Sequence, residues 1–73
     1  MIRYYYMKRG VYERPGRIGY TQFREFAGTF SQEDAHEEER RSHGEVHIIA
    51  TTVEEHNSAI KEMINKLEKN LIS

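Results

Sequence analysis

His43, Glu45 and His47 stand two residues apart, so on an extended strand all three would project from one face. Two imidazoles and a carboxylate are ligand types that transition metals take. The spacing matches no metal motif, however, and His43 precedes Gly44 at what reads as a loop end. Exposed histidines beside a loop are the simpler reading, and neither a metal nor another cofactor is expected. His36 reads as solvated. His56 falls on the apolar stripe of a helix, where a hydrogen-bonded core or interface histidine is the default.

A second constellation lies in the first twenty residues: Arg3, Tyr5, Lys8, Arg9, Tyr12, Arg14, Arg17 and Tyr20. Guanidinium and ammonium groups meet phosphates, and tyrosine rings stack on bases. A two-stranded ribbon also fits the DNA major groove. The same two residue types, arginine and tyrosine, are enriched at protein interfaces. These eight residues are therefore expected to form an interaction surface. A protein partner is the first reading, and nucleic acid bound through the hairpin from residue 3 to 24 is the alternative.

Acid–base chemistry needs paired groups in a pocket. The carboxylates here fall in a polar connector or on the polar face of a helix. No serine sits in a nucleophile-elbow pattern, and no glycine spacing makes a phosphate-binding loop. The expectation is a binding or regulatory module and not an enzyme.

The elements that must position these residues are unequally legible. The run from Thr52 to Ile72 is the clearest. Val53, His56, Ile60, Met63, Ile64, Leu67 and Leu71 recur at helical spacing and make one apolar stripe. Thr52 and Glu55 form a capping-box pattern, and Glu62 and Lys66 an i,i+4 pair. A helix over 53–72 follows.

Ile2 to Met7 is rich in β-formers, with tyrosine on both faces. Arg14-Pro15-Gly16-Arg17 is a type II turn signal, since proline presets φ at the second position and glycine supplies φ > 0 at the third. A long hairpin with its tip at Pro15-Gly16 is expected, Gly10 marking a break or bulge. The hairpin demands a return strand over 17–27, although Tyr20, Phe23, Phe26, Ala27 and Phe30 also fall at helical spacing. Either way, Phe23 and Phe26 read as core or interface aromatics. Residues 45–51 read as a third strand, apolar on both faces.

Ser31 to Gly44 has one apolar side chain, Ala35, among glutamates, arginines and histidines. With no face to bury, a helix here gains nothing from packing, so a mobile acidic loop over 31–44 is expected. The fold class is thus α+β: an antiparallel sheet of about three strands, covered on one face by the C-terminal helix.

Seventy-three residues make a single domain with a thin core, burying only about 60% of the unfolded surface. Scaffolds of this size are held by disulfides, a metal or a partner chain. There is no cysteine, which removes the first and fits a reducing compartment. Self-association remains, and a homo-oligomer assembled through the spare face of the sheet is expected. No apolar run is long enough to span a membrane and Met1-Ile2-Arg3 does not begin a signal peptide, so a cytoplasmic location is expected.

Charge is unevenly placed. Residues 1–30 carry six cations against Glu13 and Glu25, a balance of +4, and residues 31–73 carry five against ten carboxylates, a balance of −5, for a net −1. Such asymmetry marks either an interaction surface or two halves that attract each other.

Overall fold

The computed structural model describes residues 1–72. Four strands, β1 (Ile2–Lys8), β2 (Val11–Glu13), β3 (Tyr20–Thr21) and β4 (His47–Thr52), form one antiparallel sheet in the order β3-β2-β1-β4. Two α-helices, α1 (Gln32–Arg41) and α2 (Val53–Lys69), complete an α+β fold.

β1 is the spine. It pairs along almost its whole length with β4, from Ile2 opposite Thr52 to Met7 opposite His47. On its other side it meets β2 at Met7 and Lys8. Phe30 fills the rest of that side through two backbone hydrogen bonds with Tyr4, at 2.9 and 2.8 Å. Alternation along β1 sends Tyr4 and Tyr6 to one face and Tyr5 to the other. Both Tyr5 and Tyr6 are 2% exposed.

The sheet has four strands where about three were expected, because the N-terminal hairpin closes earlier. Its tip is Arg9-Gly10, both at positive φ (53° and 82°), as a two-residue type I′ turn requires. The Pro15-Gly16 turn also forms. Gly16 has φ 72° and ψ 4°, and the Arg17 N–H donates to the Arg14 carbonyl at 3.0 Å. That turn joins β2 to the short β3 rather than two long strands. The expected return strand over 17–27 shrinks to Tyr20–Thr21, and Arg24–Phe26 is a 3-10 turn. The strand expected over 45–51 runs instead from His47 to Thr52.

The segment from 31 to 44, expected as a loop, contains a ten-residue helix, α1. Its ends follow local rules: the Ser31 side chain accepts from the Asp34 N–H at 3.1 Å, with Glu33 and Asp34 in the first turn and Arg40 and Arg41 in the last. A single side chain anchors α1 to the sheet. Ala35, the single apolar residue, is 0% exposed and packs with Tyr6 and Val46, flanked by Tyr4, Phe30 and Ile48. The Tyr6 and Phe30 rings stack beside it, centroids 3.9 Å apart and 2° from parallel.

α2 lies on the opposite face. The Thr52 side chain caps it, accepting from the Glu55 N–H at 3.0 Å. The Tyr5 hydroxyl meets His56 Nδ1 at 2.8 Å, and the Tyr12 ring packs edge-on against Tyr5. Both faces of the sheet therefore carry a helix, where one spare face was expected. The stripe on α2 is only half used. Ala59 is its one buried residue, while Ile64 and Leu67 are 48% and 58% exposed. The helix ends at Lys69, three residues short of the expected Ile72. At about 1.5 Å per residue α2 is roughly 25 Å long, in a molecule of 50 × 25 × 17 Å.

Candidate interaction surface

The eight residues expected to form one interaction surface separate into two groups. Four of them hold the fold. Tyr5 is buried against His56. Tyr12 supports Tyr5. The Arg3 guanidinium donates to the Thr29 carbonyl at 2.8 Å and to the Thr29 hydroxyl at 3.3 Å, tying the segment before α1 to β1.

Arg17 is the fourth, and the most committed. Its Nη1 and Nη2 each donate to the Glu38 carboxylate at 2.9 Å, and its Nε donates to Glu13 at 3.1 Å. Its guanidinium also lies 5.6 Å from the Tyr6 ring centroid. Both carboxylates are buried, Glu13 at 7% and Glu38 at 8% exposure. Arg41 adds a third donor to Glu38 at 3.0 Å. The Arg17 hydrogen bonds hold the Glu38 carboxyl below the usual glutamate range, against the opposing effect of burial and with help from Arg41. Arg17 is in turn held more firmly protonated by Glu38, then by Glu13. The opposite charges of the two halves thus meet inside one chain, here and at the Lys8–Glu45 pair, 3.6 Å apart.

The other four lie at the surface. Arg9, Arg14 and Tyr20 are exposed, Lys8 partly so, and among the described residues Arg9 and Arg14 have no ion-pair partner. Lys8, Arg9, Val11 and Tyr20 line one shallow depression. Arg14, Tyr20, Thr21 and Phe26 line a second, so Tyr20 is common to both. Phe23 extends the patch, packing edge-on against Phe26 at 6.1 Å. Tyr20, Phe23 and Phe26 are each more than half exposed. Tyr20 lies on the short edge strand β3, opposite Glu13, and the 3-10 turn at Arg24–Phe26 takes Phe23 and Phe26 out of any strand. The result is three aromatic rings among unpaired cations at the β3 side of the sheet.

His56 is neutral-biased. Burial lowers its pKa, the nearby Arg24 charge adding to the effect, and Tyr5 occupies its Nδ1. His43, Glu45 and His47 do not share a strand face, because β4 begins at His47 and His43 sits in a turn at φ 54°. Among the described residues no three His, Asp or Glu side chains converge on a common point. None of their helices is long and apolar enough to cross a membrane. No family model matches the chain, and no curated protein or solved structure matches it either.

Proposed function

We propose that this chain is a small non-enzymatic binding and regulatory module that acts through protein–protein contact as a homo-oligomer. The carrying observation is the apolar stripe of α2, left uncovered beyond Met63 in a chain whose buried apolar core is six side chains, three of them alanine. An uncovered stripe on a thin core is stabilised by a second chain. The cysteine-free composition suits a reducing compartment, and we infer a cytoplasmic setting.

Solution mass tests the reading. Light scattering from about 5 to about 200 µM protein should show a mass above 8.7 kDa that rises with concentration. A constant monomer mass over that range refutes it.

A second reading is favoured by the aromatic and cationic patch. Arg9 and Arg14 beside Tyr20, Phe23 and Phe26 supply the phosphate contacts and stacking platforms that single-stranded nucleic acid needs. Salt-dependent retention of a labelled oligonucleotide, lost on Arg9→Glu with Arg14→Glu, would support this reading. No retention at low salt eliminates it.

A further inference from the structure

The uncovered half of α2 has a more specific pattern than a greasy ridge. Ile60, Ile64, Leu67 and Leu71 step by four, three and four residues, which is the a/d spacing of a heptad seam; Ile60 is half-buried, Ile64 and Leu67 are exposed within α2, and Leu71 lies just past its end. Beside the seam, at positions seven residues apart on one flank, stand Lys61 and Glu68. The other flank offers Met63 and Asn70, with no charge. Lys61 and Glu68 are exposed and make no ion pair among the described residues.

Chain direction decides what these two charges meet. In a parallel helix pair each flank faces the opposite flank of its neighbour, so Lys61 and Glu68 would face the uncharged side. In an antiparallel pair like flanks face each other. Ile64 then packs on Leu67 of the partner subunit. That register sets Lys61 opposite Glu68 of the partner subunit, twice over by symmetry.

We propose that α2 pairs antiparallel with α2 of a second copy over residues 60–69, the two Lys61–Glu68 contacts selecting direction and register. This rests on the homo-oligomer reading above. The overlap is about 15 Å of helix, a small contact of the transient class. The sheltered half of α2 on its own sheet keeps the projecting half aligned before the partner arrives, which lowers the ordering cost.

The open edge of β4 is the competing route to a dimer. Tyr4 gives its N–H and C=O to Phe30, so the alternate residues Arg3, Tyr5 and Met7 bond β4. Ile48 and Ala50 therefore turn their own N–H and C=O groups to the free edge. Proline at position 50 would block edge pairing without removing a bond to β1.

Sedimentation equilibrium on the full chain separates these cases. Lys61→Glu and Glu68→Lys each place like charges opposite each other, and each should raise the dimer dissociation constant by about tenfold. The double exchange, Lys61→Glu with Glu68→Lys, should restore it, and Ala50→Pro should leave it unchanged. Circular dichroism on each variant confirms that helix content is kept, as these side chains are exposed and outside the core. A dimer indifferent to both single exchanges, or one abolished by Ala50→Pro with the fold intact, overturns the antiparallel pairing while the homo-oligomer reading survives. A wild-type chain that stays monomeric removes both.

Discussion

Replacing Arg17 with alanine isolates the contact that joins the two charged halves of this chain. The substitution leaves Glu13 and Glu38 buried, Glu13 without any cation and Glu38 with only Arg41. Glu13 is already the weaker of the two, since its Oε2 is buried with no hydrogen-bond partner. Removing one partner of a fully buried pair costs about 3–5 kcal/mol. The Arg17 side chain is 42% exposed, so water can approach the vacated space, and Arg41 stays on Glu38. With that screening the loss falls to about 2 kcal/mol, including the cation–π contact with Tyr6. For a domain of this size that lowers Tm by about 10 °C.

The measurement is thermal unfolding by circular dichroism at pH 7 and again at acid pH. Glu38 is held below the ordinary glutamate pKa of 4.5 in the folded chain. Its contribution is therefore complete above pH 4.5 and disappears as pH falls through the lower folded-state value. The gap between wild type and Arg17→Ala should shrink over that same window. Arg17→Lys, which keeps the charge but not the fork, should fall between the two at neutral pH. A Tm shift under about 2 °C at pH 7 would refute the reasoning, as would a shift that persists unchanged at acid pH.

Three further outcomes follow from local geometry. Gly28→Ala would set a Cβ 2.9 Å from the Pro15 Cα and N, backbone atoms that cannot swing aside; a loss of about 1–3 kcal/mol is expected in urea unfolding. Because the folded-state pKa of His56 is depressed, stability should be full above about pH 6.5 and fall as pH drops below that value, an effect visible in the denaturation midpoint and weakened in His56→Gln. Ser31→Ala removes the acceptor for the Asp34 N–H and should cost about 1 kcal/mol, with amide exchange accelerating in α1 before it does in β1.

Much of this fold was legible because its signals are short-range. The start of α2 is set by Thr52 and the Glu55 N–H, three residues apart. The turn at Arg14–Arg17 is set by a proline and a glycine side by side. β1 is set by a run of β-formers that suits burial on both faces, and both Tyr5 and Tyr6 are buried accordingly. In each case the residues that decide the conformation are neighbours in the chain, so the pattern can be read without knowing what lies opposite.

Tertiary structure alone decided the rest. Ala35 is one small apolar residue in a polar run, and no periodicity reveals that it will be the least exposed residue of the core; only α1 docking on Tyr6 and Val46 makes that helix worth forming. Arg17 and Arg9 look alike in sequence, yet one clamps two buried carboxylates and the other stands free at a turn. The difference is that Glu38 arrives beside Arg17 from twenty-one residues away. The stripe on α2 is written in the sequence, but where the sheet stops beneath it is not. That boundary depends on how far the strands extend, and it is what leaves Ile64 and Leu67 exposed.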